Sequence, residues 1–295
     1  MKKPYFGRLL TAMVTPFNAD GSVNYAAGAD FADWLLANGS DGLVVEGSTG
    51  EAATMDMDEK IKFMQTIVAR VNGRAKIVAG AGTNCTASTI DLVKKMEACG
   101  VDGVLVVGPY YNKPTQEGYY QHFAAVAKAT KLPIIVYNVP GRTVADLANE
   151  TIVRLAQVDN IIGVKDATGD IGRGIQLLKQ VPKDFAVYSG DDSTAAALIL
   201  MGAQGNISVT ANIAPKLMDD LCVAALNQDV VEVRRLNAVL CDLNKLLFVE
   251  ANPIPVKWAL AEMGKIGLGI RLPLTVLSEG NQSVIRAALK SAQLS

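Results

Sequence analysis

Short apolar runs alternate with longer stretches of helical periodicity from Arg8 to about Thr210, at intervals of roughly 25 residues. This rhythm is typical of parallel strands that are joined by helices. The apolar runs predict eight strands, at 9–14, 42–46, 76–81, 103–107, 134–138, 161–165, 186–189 and 206–208. The intervening stretches predict helices, for example at 26–37, 57–71, 87–98 and 119–129.

Eight strands that alternate with helices predict an α/β fold, a (β/α)8 TIM barrel. The alternative is an open, doubly wound sheet, which is expected to carry a glycine-rich turn after its first strand. Residues 11–16 (TAMVTP) do not form such a turn. Beyond residue 214 the strand signals fade, while 215–225, 231–247 and 283–290 keep helical periodicity. We therefore expect a barrel at 1–214 and a C-terminal helical region at 215–295.

Composition and charge narrow the class of protein. Lys plus Arg (28) and Asp plus Glu (29) give a net charge of −1, which disfavours nucleic acid and anionic membranes as partners. Charged residues make up 19% of the chain, below the roughly 25% of a typical soluble protein, so we expect other subunits to cover part of the surface. The uncharged segment 193–215 has a continuous apolar part only at 195–201, which is too short to span a membrane.

The four cysteines form no Cys-x-x-Cys pair, and a chain of this length does not need disulfides to hold its core. The basic start of the chain, Met1-Lys2-Lys3-Pro4, is not followed by an apolar stretch long enough for export. Reduced cysteines and no export signal predict a cytoplasmic protein.

Candidate catalytic residues lie where the predicted strands end, because the active sites of such barrels form at the carboxyl ends of the strands. Strand 2 ends in EGSTGE at 46–51, where Ser48 and Thr49 either bind an anionic group or cap the next helix. Strand 6 ends in Lys165, which is either a solvated surface lysine or a dehydrated amine able to form a Schiff base with a ketone.

Strand 5 favours the catalytic alternative for Lys165. It ends in Tyr137, on the neighbouring strand, and is followed by Arg142. A phenol can relay protons during imine formation, and a guanidinium can hold a carboxylate by two hydrogen bonds. The alternatives are an aromatic core residue for Tyr137 and a surface ion pair for Arg142.

Metal and nucleotide chemistry find little support. The only histidine, His122, lies in a predicted helix, so a zinc site with several His ligands is not expected. Neither a Gly-x-x-x-x-Gly-Lys loop nor a Gly-x-Gly-x-x-Gly turn is present. Asp191 and Asp192 could bind a cation, but an adjacent acidic pair is more often part of a loop or a helix cap. We expect no cofactor and no metal.

Six motifs in this order resemble the dihydrodipicolinate synthase and N-acetylneuraminate lyase superfamily, and within it the dihydrodipicolinate synthase family. They are GSTGE at 47–51, PYYNKP at 109–114, YNVPGRT at 137–143, GVK at 163–165, SGDD at 189–192 and NPIPVK at 252–257. The lyases that act on sugar acids lack the arginine at the position of Arg142. The synthases commonly carry Thr at the position of Ser48, and Ser keeps the hydroxyl.

The resemblance implies a (β/α)8 barrel, usually a homotetramer built as a dimer of dimers, that condenses pyruvate with L-aspartate 4-semialdehyde in diaminopimelate and lysine biosynthesis. The alternatives are another pyruvate-dependent class I aldolase or lyase of the same superfamily, such as an N-acetylneuraminate lyase or a 2-oxo-acid aldolase, and a non-catalytic barrel that binds a small acid.

By matching motifs, the resemblance also implies roles for individual residues. Lys165 would form the Schiff base, and the proton relay would comprise Tyr137, Thr49 and Tyr111, the last reaching in from a neighbouring subunit. The substrates would be bound by Ser48, Thr49, Arg142, Gly190 and the backbone of Ile207.

Some members of the family are inhibited by L-lysine, which binds in a cleft between subunits that contains histidines and a glutamate. The matching positions here are Ala53, Met57, Lys60, Asn84, Ser88 and Tyr110. A cationic ligand needs a carboxylate partner, and Lys60 adds a like charge. We therefore expect weak or absent inhibition by lysine.

Overall fold

Eight parallel strands close into a barrel in chain order, in a computed structural model that describes residues 5–294. Each strand pairs with the next along the chain, and β8 pairs with β1, so the sheet has no free edge. The prediction of a (β/α)8 barrel is confirmed, and residues 1–4 and 295 lie outside the described residues. The strands are β1 (Leu9–Ala12), β2 (Gly42–Val45), β3 (Lys76–Gly80), β4 (Gly103–Val107), β5 (Ile134–Asn138), β6 (Ile161–Asp166), β7 (Ala186–Ser189) and β8 (Gly205–Ser208).

Helices surround the barrel and continue beyond it. They are α1 (Tyr25–Ala37), α2 (Met57–Val71), α3 (Thr86–Ala98), α4 (Gln116–Lys128), α5 (Pro140–Thr143), α6 (Asn149–Leu155), α7 (Ile171–Gln180), α8 (Ala195–Leu200), α9 (Pro215–Leu226), α10 (Val230–Leu246), α11 (Ile254–Glu262) and α12 (Glu279–Ser291). Short 3-10 turns lie at Ala52–Thr54 and Thr210–Asn212.

The predicted helices differ from the observed ones in two instructive places. Helix α4 begins at Gln116 rather than at residue 119, because the Thr115 side chain caps it by accepting a hydrogen bond from the Gly118 N–H. Helix α11 was not predicted at all. Its residues Ile254–Leu260 are all buried, so the segment shows none of the amphipathic periodicity that marks a surface helix.

Two layers of apolar side chains form the core. The outer layer fills the space between the strands and the surrounding helices, and the inner layer lies within the barrel. Phe6 and Tyr188 are almost fully buried in the inner layer, and the Tyr188 hydroxyl donates to the Gly7 carbonyl over 3.0 Å. Phe6 therefore packs in the inner layer, and a hydrogen bond inside the barrel joins Gly7 to β7.

The C-terminal helices pack on the barrel and return to the carboxyl ends of its strands. Helix α9 contacts β1 and β8, and α10 packs against α9 and α12. Lys257 on α11 forms a buried ion pair with Glu51, in the loop that follows β2. The division of the chain at residue 214 stays a prediction. Among residues 5–294, no helix combines the length and the apolar character needed to cross a membrane.

Candidate active site

A cavity of about 120 Å³ lies at the carboxyl ends of the strands. Its walls come from separate elements: Thr49 from the loop after β2, Tyr137 from β5, Lys165 from β6, Gly190 from the loop after β7, and Asn252 from the segment between α10 and α11. Ser48 and Arg142 line it as well. The fold thus brings together most of the residues that the sequence indicated as chemical.

Lys165 is a buried lysine at the end of an apolar strand. It is 5% exposed, and the register of the sheet places it beside Tyr137 on β5. Its Nζ lies 4.5 Å from the centroid of the Tyr137 ring. Burial lowers the pKa of this amine from 10.5 to about 8, and the charge of Asp192 opposes part of that decrease. The solvated-lysine alternative is therefore wrong, and the amine is suited to nucleophilic attack at neutral pH.

Tyr137 is buried as well, at 8% exposure. Burial raises the pKa of its phenol to about 12, against a smaller opposing effect of Arg142. The hydroxyl is consequently protonated at neutral pH and can donate a hydrogen bond to a group that develops negative charge.

The loop after β2 holds Thr49 inside the cavity and leaves Ser48 exposed. The Thr49 hydroxyl accepts a hydrogen bond from Nδ2 of Asn252 over 2.9 Å. Helix capping does not explain this pair of hydroxyls, because α2 begins at Met57 and is capped by Asp56 in a reciprocal capping box with Glu59. Neither hydroxyl is used as a helix cap, so both are available to contact a ligand in the cavity that they line.

Arg142 lies at the end of α5, at the mouth of the cavity. Its Nη2 donates to the backbone carbonyl of Asn252 over 3.0 Å. Arg142 forms no ion pair with any residue in the described range 5–294, so the surface ion-pair alternative finds no partner there. Its positive charge remains available to an anionic ligand.

A larger cavity of about 520 Å³ shares Ser48, Tyr137 and Arg142 with the smaller one. It extends past three of the positions matched to the lysine cleft: Ala53, Lys60 and Tyr110. The other three, Met57, Asn84 and Ser88, are not among its lining residues.

Glu46 lines the larger cavity and is an unusual carboxylate. It is 2% exposed, its backbone is left-handed (φ 60°), and neither carboxylate oxygen has a hydrogen-bond partner among residues 5–294. Burial raises the pKa of Glu46 to about 8, although the charge of Lys60 acts in the opposite direction. Glu46 is therefore mostly protonated at neutral pH.

Besides those three positions of the lysine cleft, two residues predicted to take part in catalysis or substrate binding line neither cavity. Tyr111 is 87% exposed and has a left-handed backbone (φ 73°). Ile207 is fully buried within the barrel on β8, in register with Leu10 on β1. The roles implied for both stay predictions.

His122, Asp191 and Asp192 have structural partners in the fold. His122 is buried, its Nδ1 lies 3.0 Å from the Thr86 hydroxyl, and burial lowers its pKa to about 4. Asp191 accepts hydrogen bonds from the backbone and the hydroxyl of Thr194, which agrees with the interpretation as a loop feature.

Sequence reasoning missed one residue of the site, Asn252, and considered Asp192 only as a cation ligand or as part of a loop or helix cap. Asp192 is buried and accepts hydrogen bonds from the side chain of Asn206 and from the backbone N–H groups of Val209 and Thr210, so it fixes the loop after β8. Asn252 reaches the cavity from outside the barrel. The signal for Asn252 was its place at the start of the NPIPVK motif, which carries no chemistry by itself.

Comparison with known proteins agrees with this geometry. The model of the Dihydrodipicolinate synthetase family matches residues 5–292. The chain belongs to the dihydrodipicolinate synthetase family. A 4-hydroxy-tetrahydrodipicolinate synthase of Laribacter hongkongensis is 54% identical over 285 residues, which are 97% of this chain and 98% of that protein.

Solved structures of the family share the whole fold. A chloride-inhibited dihydrodipicolinate synthase of Acinetobacter baumannii, complexed with pyruvate, has a TM-score of 0.97 and 49% identity, and the match covers 98% of this chain and 100% of that one. A member from Cyanidioschyzon merolae with lysine bound has a TM-score of 0.96 and 37% identity, over 99% of this chain and 100% of that one. The family that the motifs indicated is confirmed.

Proposed function

We propose that this protein is a 4-hydroxy-tetrahydrodipicolinate synthase, a Schiff-base-forming lyase of the class I aldolase type. It condenses pyruvate with L-aspartate 4-semialdehyde in diaminopimelate and lysine biosynthesis. The observation that carries the proposal is the buried Lys165 amine with a lowered pKa, beside the Tyr137 phenol, in a chain of this family.

The reaction begins with attack of the Lys165 amine on the ketone carbon of pyruvate. Tyr137 passes the proton that allows the carbinolamine oxygen to leave as water, and a protonated imine forms. Loss of a proton from the pyruvate methyl group gives an enamine, because the protonated imine accepts the electron pair. Covalent attachment replaces one difficult deprotonation by easier steps.

The enamine carbon then adds to the aldehyde of the second substrate, whose oxygen takes up a proton. The α-amine of that substrate attacks the imine carbon, closes the ring and displaces the Lys165 amine. Tyr137, Thr49 and Tyr111 relay protons in these steps. Each bond to Lys165 that forms is broken again, so the enzyme is regenerated.

Separate groups hold the two substrate carboxylates. Thr49 and Ser48, with the backbone of Ile207, bind the carboxylate of pyruvate, and Gly190 leaves room beside the reacting amine. Arg142 binds the carboxylate of the semialdehyde at the mouth of the cavity. Its guanidinium supports this choice of aldehyde over a polyhydroxylated sugar acid, which would need neutral hydrogen-bonding groups.

We propose a homotetramer, a dimer of dimers, in the cytoplasm. The resemblance to the family implies that Tyr111 contacts a neighbouring subunit, and its side chain is 87% exposed, which leaves it free for such a contact. The cysteines at 85, 99, 222 and 241 are all free, which agrees with a reducing compartment.

The experiment that tests the proposal combines trapping with a screen of aldehydes. Borohydride is added to the protein with pyruvate, and mass spectrometry is expected to locate a reduced pyruvyl group on Lys165. The Lys165→Ala variant is the control and should not be labelled. Turnover is then compared among L-aspartate 4-semialdehyde, N-acetylmannosamine and simple aldehydes. Labelling with turnover of another aldehyde alone would identify a different aldolase, and no labelling would indicate a non-catalytic binding protein.

A further inference from the structure

Asn252 links the two proposed substrate anchors although it lies outside the barrel, between α10 and α11. Its Nδ2 donates to the Thr49 hydroxyl over 2.9 Å. Its backbone carbonyl accepts from Nη2 of Arg142 over 3.0 Å. Asn252 is 4% exposed and lines both cavities. One residue of the C-terminal region therefore contacts both the pyruvate anchor and the semialdehyde anchor.

The bond between Asn252 and Thr49 has only one possible direction. An amide NH2 group can only donate, so the Thr49 oxygen is the acceptor. The Thr49 hydroxyl therefore keeps its own hydrogen for another acceptor, and the cavity that Thr49 lines is also lined by Tyr137 and Lys165.

The other half of the Asn252 amide argues against a purely structural role. Its Oδ1 is buried and has no hydrogen-bond partner among residues 5–294. An unsatisfied buried acceptor destabilises a fold, and an apolar side chain of the same shape would avoid that cost. Unsatisfied groups of this kind are expected where function outweighs stability.

We propose that Asn252 is a positioning residue for the condensation, which holds the Thr49 hydroxyl with its hydrogen directed toward the bound ketoacid and the Tyr137 phenol. This inference rests on the proposed function. It also makes the C-terminal region a necessary part of the active site rather than an appendage to the barrel.

The first test replaces Asn252 by leucine, which has a similar shape and no polar atoms. The expected result is a loss of about tenfold in kcat, as for one lost hydrogen bond in the transition state, with an unchanged or higher unfolding midpoint. The matched control is Asn160→Leu. Asn160 precedes β6 and donates to the backbone carbonyls of Ala127, Thr130 and Leu132, so its loss should lower the midpoint and leave kcat unchanged. A kcat of Asn252→Leu within twofold of wild type would overturn the proposal.

A second variant covers the case in which the leucine protein does not fold. Asn252→Asp keeps the shape, but an ionised carboxylate can only accept hydrogen bonds, so Thr49 would turn its hydrogen back toward residue 252. The expected loss in kcat is again at least about tenfold. An aspartate variant with the turnover of the wild type would contradict the proposal.

A double-mutant cycle with Thr49→Val separates positioning from any structural effect. If Asn252 acts through the Thr49 hydroxyl, Asn252→Leu lowers the rate less than about twofold once that hydroxyl is gone. Equal fold-losses in both backgrounds would refute the coupling. The cycle is read on the rate of borohydride-trapped imine as well as on turnover. If the wild-type protein traps pyruvate but does not use the semialdehyde, the proposed function fails while the trapping cycle still decides the role of Asn252.

Discussion

Gly190 lies directly against the side chain of Lys165. A Cβ at position 190 would lie 2.8 Å from Cε and 2.9 Å from Cγ of that lysine, closer than side-chain carbons approach one another. It would also lie 2.9 Å from the Cβ of Ala167. Because Gly190 has no side chain, the side chain of Lys165 can occupy this space.

We expect Gly190→Ala to displace the Lys165 chain rather than to unfold the barrel. A misplacement of about 1 Å can cost about 100-fold in rate, so imine formation should fall by 10- to 100-fold. The rate of borohydride trapping measures this effect. Gly141→Ala is the control, because a Cβ there meets no atom within 4 Å. Wild-type trapping by Gly190→Ala would show that the contact does not position the amine.

The pH dependence of imine formation should follow the lowered pKa of Lys165. With a pKa of about 8, about one amine in ten is neutral at pH 7, against about one in three thousand for an ordinary lysine. The neutral amine is the nucleophile, so the trapping rate should rise about tenfold per pH unit up to about pH 8 and then level off. A rate that keeps rising to pH 10 would indicate an unshifted lysine.

Replacing Tyr137 by phenylalanine should separate its role from that of Lys165. The ring that packs beside the amine remains, but the phenol that relays protons is lost. We expect slow imine formation to persist while turnover falls by about 10²–10⁴, the range typical of a general acid or base. Lys165→Ala, in contrast, should abolish trapping. Normal turnover by Lys165→Ala would disprove the Schiff-base mechanism.

Arg142 should affect the second substrate far more than the first. Its guanidinium lies at the mouth of the cavity, whereas Lys165 and Thr49 lie deeper within it. We expect Arg142→Ala to raise the KM for L-aspartate 4-semialdehyde at least tenfold, as for the loss of a charge-assisted hydrogen bond. Pyruvate trapping should change little. An equal loss in pyruvate trapping and in the use of L-aspartate 4-semialdehyde would contradict separate anchors for the two substrates.

The fold could be predicted from the sequence because fully buried strands leave apolar runs bounded by polar residues. Strands β4, β5 and β7 have the predicted bounds. The meeting of Tyr137 with Lys165 was also predictable, since both lie at the carboxyl ends of neighbouring strands and pair in register. Periodicity alone could establish neither the burial of Lys165 nor the lowered pKa that follows from it.

What the sequence could not predict depends on contacts between distant segments. Asn252 meets Thr49 only because the chain returns to the catalytic end between α10 and α11. The burial of Glu46 depends on a left-handed backbone at the end of β2 and on close packing, since a Cβ at Gly80 would lie 2.1 Å from the Glu46 carbonyl oxygen. No local pattern encodes either arrangement.

Tyr111 should act in the site of a neighbouring subunit. Mixing two inactive variants tests this directly: Lys165→Ala subunits keep Tyr111, and Tyr111→Phe subunits keep Lys165. If the tyrosine acts across an interface, a mixed pair contains one intact site, so co-refolded protein should regain activity. Each variant refolded alone is the control. No recovery in verified hetero-oligomers would indicate that Tyr111 acts within its own subunit or not at all.

L-Lysine should inhibit this protein weakly at neutral pH. Of the positions matched to the lysine cleft, Lys60 lines the larger cavity and presents a like charge to the ligand, while Ser88 offers no carboxylate. Loss of one charge-assisted hydrogen bond costs about 1.5–3 kcal/mol, which is at least about tenfold in affinity. We therefore expect half-inhibition only above about 1 mM, and submillimolar inhibition in an activity titration at pH 7 would contradict this.

Glu46 is the acid that could replace the missing carboxylate, and its ionisation gives the prediction a pH dependence. Burial raises the pKa of Glu46 to about 8, so at pH 7 it is mostly neutral and supplies little negative charge. As the pH rises from 7 to 8.5, the carboxylate ionises, and inhibition by lysine should strengthen. Glu46→Gln keeps the shape without the charge and should remove this increase.

Because the raised pKa favours the folded state at low pH, wild-type stability should also fall between pH 6 and about 8.5, whereas Glu46→Gln should show a flatter profile. Equal pH profiles of stability for the two proteins would show that Glu46 is already ionised at neutral pH.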